Sequence, residues 1–308
     1  MDIFDSKSAK PMLIAEMQEP FDSPDYIYEL KLDGERCVAY LDKDGTTLLN
    51  KRNFILNPRF PEIAGINQFV KSKCILDGEI SILVDGKPDF SEVKRRSVIT
   101  NNFKIDTAIS KHPANFTAFD ILYYDGKTVT DLPLMKRKEL LSKVVNENEK
   151  IAVSRYIEEQ GKALYAAAEK QDLEGVVAKR KDSIYSMGKR TKDWIKFKNL
   201  KDDDFIILGF IPNDITASIV LGQFRDSTIV YKGHVALGVS REDFDMISRI
   251  PKIDNPFPSV SGSEDTKWIL PQLVCTVKYM EKTSNGGLRQ PVYKGLRDDK
   301  DPEECKDN

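Results

Sequence analysis

Lys31-Leu32-Asp33-Gly34-Glu35-Arg36 follows a strand-like run, Tyr26-Ile27-Tyr28-Glu29-Leu30, and precedes a second, Cys37-Val38-Ala39-Tyr40-Leu41. β-Branched and aromatic residues on either side of a glycine-bearing turn read as two strands joined at the mouth of a sheet. Gly34 is expected to supply backbone angles that other residues resist. The lysine then stands at a strand end, with its amine able to enter a pocket. An amine attacks phosphorus only when unprotonated, and a pocket that sets Lys31 beside other cations would favour the neutral form. Arg36 carries donors suited to a sugar hydroxyl or a phosphate. A hairpin turn with a solvated charge cluster would be spelled the same way, so the companions of the hexapeptide decide its meaning.

A chain of 308 residues has room for two domains and a sizeable core. With 40% hydrophobic and 31% charged residues it reads as globular rather than disordered. No apolar run approaches the roughly 18 residues that span a bilayer. The acidic start, Met1 to Ser6, lacks the apolar segment of a secretory signal, so a cytoplasmic location is expected. Four cysteines show neither CxxC pairing nor metal-ligand spacing with histidine, and Cys37, Cys74 and Cys275 sit in apolar runs as reduced, buried thiols. The two histidines, His112 and His234, have no catalytic partner in view, so zinc chemistry and a Ser-His-Asp triad are poorly supported. A net charge of −2 argues against a surface coated in basic groups. Lys94-Arg95-Arg96, Lys179-Arg180-Lys181 and Lys189 to Lys198 nevertheless cluster positive charge, either as solvated faces or as a phosphate-holding surface.

Residues 26 to 124 read mainly as strands with Asp-Gly turns between several of them. Two helices follow, at about Leu134 to Asn146 and Gln160 to Lys170, before strands return at Gly175–Ala178 and Trp194–Lys198. Asn199 to Asp204 looks like a hydrophilic linker. Beyond it the pattern is β-rich, with one short helix opened by Ser240-Arg241-Glu242-Asp243, a variant capping box. About 105 residues with five or so strands and one helix suit an OB-like barrel. The charged end, from Asp298 to Asn308, is expected to fray.

Glu79 closes the turn Leu76-Asp77-Gly78-Glu79, and Glu174 opens Glu174-Gly175-Val176-Val177-Ala178-Lys179. Two carboxylates that converge on one pocket can hold Mg²⁺, which favours oxygen ligands. Lys196 and Lys198 alternate with Ile195 and Phe197, so both face one side of a strand, where paired ammonium groups would neutralise a triphosphate. Phe119 could stack on a purine.

Taken together and in order, these residues resemble the covalent nucleotidyltransferases, and most closely the ATP-dependent DNA ligases. The resemblance implies that Lys31 is the residue adenylated by ATP. It assigns Glu29 to adenine recognition, Arg36 to the neighbourhood of the ribose, and Phe119 to stacking on adenine. Glu79 and Glu174 fall on the ribose- and metal-associated acids, with Mg²⁺ or Mn²⁺ as the ion, and Lys196 and Lys198 on the phosphate-binding lysines. Arg52, in Lys51-Arg52-Asn53, matches a motif that often reads Ser-Arg-Asn-Gly; the serine and glycine are absent here. Arg297-Asp298-Asp299-Lys300 matches the last motif of the family, and through it Arg297 and Lys300 are assigned to the pyrophosphate of ATP.

Pro11-Met12-Leu13, the run Tyr185-Ser186-Met187-Gly188-Lys189-Arg190 leading to Trp194-Ile195-Lys196, and Leu288 to Arg297 are similar to the ligase domain of bacterial end-joining ligases. Arg190 joins the nucleotide-binding set on that likeness. The implied architecture is α+β: a nucleotidyltransferase (adenylation) domain over residues 1–200, with antiparallel sheets and flanking helices, then a β-barrel OB-fold domain over 201–308. The implied protein is a stand-alone minimal ligase, a monomer acting on nicked or broken duplex DNA in repair or end joining. The Ku end-binding protein and a separate repair polymerase are its possible partners, at the bacterial nucleoid or in a phage. RNA ligases and capping guanylyltransferases share the lysine motif, but the end-joining-type C-terminal motifs argue against both. A non-catalytic nucleic-acid-binding scaffold would need stacking and basic residues but no nucleophile.

Overall fold

Alternation along the strand Glu35–Asp42 sends Cys37, Ala39 and Leu41 into one hydrophobic cluster and Val38 and Tyr40 into another. A strand places successive side chains on opposite faces, so this segment is buried on both. The computed structural model describes residues 2–213, 217–258, 260, 264–283 and 285–307. Within it the chain divides into two compact units, residues 1–199 and 200–308.

In the first unit, Glu35–Asp42 belongs to a seven-stranded sheet built mainly of antiparallel pairs, centred on Cys74–Val84 and Ala114–Tyr124. A second sheet of five strands contains Tyr26–Leu30, Gly175–Arg180 and Arg190–Lys198, with Leu13–Met17 added in parallel at its edge. Val38, Tyr40, Ile75 and Phe119 of the first sheet meet Val177 and Trp194 of the second in a shared core. The outer face of the large sheet is covered by residues of the helix Leu134–Val144, among others Leu141 and Val144. The outer face of the small sheet carries the helix Gly161–Lys170, whose Ala168 packs with Tyr28, Val176 and Phe197.

The expected run of strands to residue 124 is interrupted. Phe90–Val98 and Asn102–Lys111 are helices, each opened by a side-chain cap: Asp89 accepts from the Glu92 N–H and Asn101 from the Lys104 N–H. The Lys94-Arg95-Arg96 cluster is split by this helix. Arg96 is fully buried, donates to both oxygens of Glu62 at 2.8 Å and lies over Phe60, whereas Lys94 and Arg95 stay exposed.

The second unit is a five-stranded antiparallel sheet that takes Thr228–Val235, Ala217–Arg225, Lys201–Pro212, Lys267–Tyr279 and Val292–Arg297 in that spatial order. The Tyr293 N–H donates to the Leu237 carbonyl at 2.8 Å, so the chain just past one edge strand bonds the other edge strand and the sheet curls. The helix Arg241–Ser248 starts as the sequence indicates, with Ser240 Oγ accepting from the Asp243 N–H. The hydrophilic stretch expected as a linker is strand from Lys201 onward, with Asp202, Asp203 and Asp204 paired to Lys278, Val277 and Thr276. The charged C-terminal stretch is docked. Cys305 is buried, the Phe224 N–H donates to its carbonyl at 2.7 Å, and the Asp307 carboxylate receives Lys232 at 2.5 Å, Arg225 at 2.7 Å and Lys282 at 3.5 Å.

All four cysteines are free and buried, two in each unit. Burial pushes the Cys74 thiol up to about 12 and Cys305 to about 11, and raises Cys37 and Cys275 well above the ordinary range. No helix among the described residues is long and apolar enough to cross a membrane.

Candidate active site

Parity along the strands gathers the polar residues of the first unit into one cleft. Tyr28 faces the outer helix, so Glu29 and Lys31 turn inward; Val176 and Ala178 face outward, so Val177 and Lys179 turn inward. Trp194 sits on the inner face of its strand, and Lys196 and Lys198 share its parity. From the opposite sheet, Arg36 shares the parity of Val38, and Asp77 and Glu79 that of Ile75. Arg36 is paired directly across from Glu79. The resulting pocket holds about 420 Å³ of non-protein space, its mouth included, and Lys31, Glu29, Arg36, Glu79, Phe119, Val177, Lys179 and Trp194 are among its lining.

Lys31 leaves the end of its strand with its backbone N–H bonded to the Gly175 carbonyl at 2.9 Å. Its Nζ lies 2.6 Å from Glu174 Oε2, a carboxylate whose side chain is 4% exposed. The nearest charged partner of the lysine is thus an anion, where the sequence reading placed cations. Lys196 supplies the cationic neighbour: its own ammonium is destabilised first by burial, then by Lys31 and Arg190. Burial raises the Glu174 carboxyl, with Lys31 and Lys198 acting against that shift. Burial also lifts Glu79 to about 8, opposed by Arg36 and Lys31 and reinforced by Glu174.

Gly34 is required for a different reason from the one expected. Its φ lies outside the left-handed region, but a Cβ there would fall 2.1 Å from the Ile80 carbonyl oxygen. Gly175 does have a positive φ, +135°, and a Cβ on it would meet the Phe197 oxygen at 1.9 Å. These close approaches press the two lysine- and glutamate-bearing turns onto neighbouring strands.

At the back of the pocket Glu29 is 2% exposed and already holds three protein donors, short of the roughly four acceptor sites of a carboxylate. It accepts from Lys138 at 2.7 Å, Lys179 at 2.9 Å and Ser154 Oγ at 2.8 Å. Burial works to raise this carboxyl, but the two ammonium groups outweigh it and hold it below the ordinary range. Lys179 Nζ also lies 4.5 Å from the centre of the Phe119 ring and 4.4 Å from that of Trp194. Arg36 Cζ lies 4.5 Å from the same Phe119 ring. The aromatic ring assigned to adenine stacking therefore carries two cations.

Arg190 is exposed at the start of its strand, and its Nη1 donates to the Ile14 carbonyl at 2.6 Å. Arg52 is not brought to the pocket. It is exposed in the turn after Gly45–Asn50, with its backbone N–H on the Asn50 side chain. Arg297 and Lys300 belong to the second unit, where both face Asp204: Lys300 Nζ at 2.5 Å and Arg297 Nη1 at 3.4 Å. Asp204 also accepts from Thr276 Oγ1 at 2.6 Å, and Arg297 pairs with Asp299 at 2.7 Å.

Sequence reasoning passed over Lys138, Lys179, Val177, Trp194 and Asp77 as site residues. Lys179 was grouped with Arg180 and Lys181 as a surface cluster, yet it is 3% exposed while its neighbours pair with Asp182 and Glu158 outside. Parity with Val177 was the available signal.

Residues 7–198 match the family model of the ATP dependent DNA ligase domain, and residues 213–300 that of the ATP dependent DNA ligase C terminal region. The chain is 28% identical to the SPbeta prophage-derived DNA ligase-like protein LigB of Bacillus subtilis, over 93% of this chain and 98% of that protein. It is 32% identical to the DNA ligase of Thermococcus fumicolans over 90% of the chain but only 53% of the relative. It is 28% identical to the multifunctional non-homologous end joining DNA repair protein LigD of Mycobacterium tuberculosis, spanning 37% of that protein. Among solved structures, the ligase domain of M. tuberculosis LigD superimposes over the full length of both chains with a TM-score of 0.57 at 24% identity. A Lig E DNA ligase superimposes over 94% of this chain and 99% of its own, with a TM-score of 0.63 at 18% identity. These two structures share the fold: a mixed α+β adenylation unit followed by an OB-like unit.

Proposed function

The chain belongs to the ATP-dependent DNA ligase family, and on that premise we propose that it seals 5′-phosphate/3′-hydroxyl nicks or breaks in duplex DNA through a lysyl-AMP intermediate on Lys31. The observation that carries the proposal is the 2.6 Å contact of Lys31 Nζ with Glu174 at the mouth of the pocket lined by Glu29, Arg36, Glu79 and Phe119. An amine with a carboxylate at hydrogen-bond distance has a proton acceptor in place.

In the first step the deprotonated Lys31 attacks the α-phosphorus of ATP. A P–N bond forms, the bond to the bridging oxygen breaks and pyrophosphate leaves. Lys196 and Lys198 face the same cleft and offset the departing charge, with Arg190 at its edge. Next, an oxygen of the DNA 5′-phosphate attacks the same phosphorus, breaking the P–N bond and moving AMP to the DNA. Finally the 3′-hydroxyl loses its proton and attacks the 5′-phosphorus, and AMP departs. Arg36 serves the ribose and phosphates, Phe119 the adenine face and Glu29 the adenine edge. Arg52 stands outside the pocket in this structure, so its role rests on the motif alone.

Glu79 and Glu174 offer the hard oxygen donors that Mg²⁺ or Mn²⁺ takes, and their charges oppose one another in one cleft, which a cation would relieve. Among the described residues no group of three or more acids, histidines or cysteines could cage an ion, so Glu79 and Glu174 are the residues that would hold it. When bound, it supplies charge neutralisation for phosphoryl transfer.

The adenylation domain is taken as residues 1–200 and the OB-fold domain as 201–308, with Arg297 and Lys300 acting on pyrophosphate. The proposed working form is a monomer at nucleoid or phage DNA. It grips the duplex through its backbone, with a Ku end-binding protein and a separate polymerase as partners if it serves end joining.

Intact-mass measurement after incubation with Mg²⁺ and ATP, or Mg²⁺ and GTP, tests the core of this reading. The expected result is an AMP adduct from ATP alone, mapped to Lys31 and absent in Lys31→Ala. A GMP adduct, or an AMP adduct that survives the substitution, overturns it.

A further inference from the structure

Pro11-Met12-Leu13 and the loop from Tyr185 to Arg190 have no part in the chemistry above except through Arg190, yet they close around Arg36. The Leu13 N–H donates to the Lys189 carbonyl at 2.8 Å, and the Ser186 N–H to the sulfur of Met12 at 3.2 Å. Tyr185, 3% exposed, accepts from the Met12 N–H at 2.8 Å and donates its own hydroxyl to Asp77 Oδ2 at 2.5 Å. Asp77 is fully buried and takes Arg36 side-on, Nε at 2.7 Å and Nη2 at 2.6 Å. Arg36 Nη2 returns to the Met12 carbonyl at 3.3 Å. Four groups thus form a closed ring: Arg36 to Asp77, Asp77 to Tyr185, Tyr185 to Met12, and Met12 back to Arg36.

A guanidinium can meet a carboxylate through its Nε/Nη2 side or through its two terminal nitrogens, and the choice decides which N–H groups remain for a ligand. Here the side-on pairing commits Nε and Nη2, while Nη1 has no hydrogen-bond partner among the described residues. The Arg36 side chain is 22% exposed and lines the pocket, so Nη1 is the donor edge open to a ligand. The Phe119 ring lies against the guanidinium, its centre 4.5 Å from Cζ. Asp77 alone would accept either pairing. Its Oδ2 is turned toward Nη2 and held there by the Tyr185 hydroxyl, which Met12 anchors in turn.

We propose that Tyr185 is a positioning residue: through Asp77 and Met12 it fixes the edge of Arg36 that faces the pocket, so that Nη1 is presented to an oxygen of the bound nucleotide. This deepens the reading above and rests on ATP being what the pocket takes. It also gives the segments that resemble end-joining ligases a shared task, because the ring needs a backbone group at Met12 and a phenol at Tyr185.

The test is the ATP dependence of AMP-adduct formation by the whole chain, compared for the parent, Tyr185→Phe, Arg36→Ala and the double variant. Losing a hydrogen bond to a charged group changes affinity by roughly tenfold. Tyr185→Phe should therefore raise the half-saturating ATP concentration by about that factor while the limiting rate falls less than threefold. In the Arg36→Ala background the same substitution should add nothing. A parent-like ATP dependence for Tyr185→Phe, or its full effect persisting without Arg36, overturns the inference. The ¹⁵N–¹H resonance of Arg36 Nε, assigned by its loss in Arg36→Lys, gives a second readout at temperatures where every variant is folded. It should move in Tyr185→Phe, and an unmoved resonance also overturns the inference. Failure of the ligase reading looks different: the parent chain itself would form no AMP adduct at Lys31.

Discussion

Replacing Glu29 by Gln separates a residue that touches a ligand from one that holds the fold. The carboxylate is the shared acceptor for Lys138 and Lys179, both at most 3% exposed, and an amide of the same shape leaves both buried ammonium groups without the carboxylate they are bonded to. Removing one partner of a buried ion pair costs roughly 3–5 kcal/mol. For a unit the size of residues 1–199 that is a fall in melting temperature of about 7 to 12 °C. Two tryptophans, Trp194 and Trp268, lie in separate units, so a Trp268→Phe background leaves Trp194 fluorescence to report on the first unit alone. The pH dependence adds a second criterion. Burial already depresses the Lys179 ammonium below its ordinary value of 10.5, and losing Glu29 removes the largest influence opposing that shift, leaving Asp120 to act against burial and Lys138. The unfolded chain then binds more protons than the folded one between the depressed value and 10.5, so stability rises with pH in that window. The deficit of Glu29→Gln should therefore be larger at pH 6.5 than at pH 9.5. A variant that melts within a degree of the parent at both pH values, and loses only ATP affinity, would show that the buried triad is not what Glu29 holds.

Further expectations concern other parts of the molecule. Glu174→Gln removes the carboxylate 2.6 Å from Lys31 and should slow AMP-adduct formation by about a hundredfold, with unchanged melting, in a quenched time course. Gly34→Ala drives a Cβ to within 2.1 Å of the Ile80 oxygen, so adduct formation should fall with it; full activity would mean that the turn can shift without moving Lys31. Asp307 is held down to about 2 by Lys232 and Arg225 against burial, so its contribution to the second unit is complete above pH 4 and is lost as pH falls toward 2. Asp307→Asn should abolish that acid-dependent loss when Trp268 fluorescence is followed. Nicked-duplex affinity should drop steeply between low and moderate salt, and a flat salt profile would count against a grip on the phosphate backbone.

What the sequence disclosed follows the range over which each signal acts. Strand parity and the short motifs are local, so Lys31, Glu79, Glu174, Lys196 and Lys198 could be picked out in order; Lys31 and Glu79 line one pocket and Glu174 lies against Lys31. The caps at Asp89 and Asn101 were also local. They were overlooked because the helices they open are only nine and ten residues long and lie between unmistakable strands. Buried charge is the opposite case. Arg96 and Lys179 look like surface cations until Glu62 and Glu29 are brought to them, and those partners lie 34 and 150 positions away. The reason for Gly34 was hidden in the same way, because the atom it must avoid belongs to a strand that only the folded sheet sets beside it. Asp202 to Asp204 read as a linker by composition, but their pairing with Val277 and its neighbours makes them strand.

The four buried thiols make the chain its own opening clock. Each unit contains two cysteines, silent toward alkylating reagents while closed, so the positions that carry label, mapped by peptide mass, report which unit has opened. A ligand that binds only the folded first unit slows labelling of Cys37 and Cys74 by the factor 1 + [L]/Kd, while Cys275 and Cys305 keep their own pace. Nucleotide affinity, unit by unit, can thus be read from the unaltered protein without a catalytic event or a fluorescent probe.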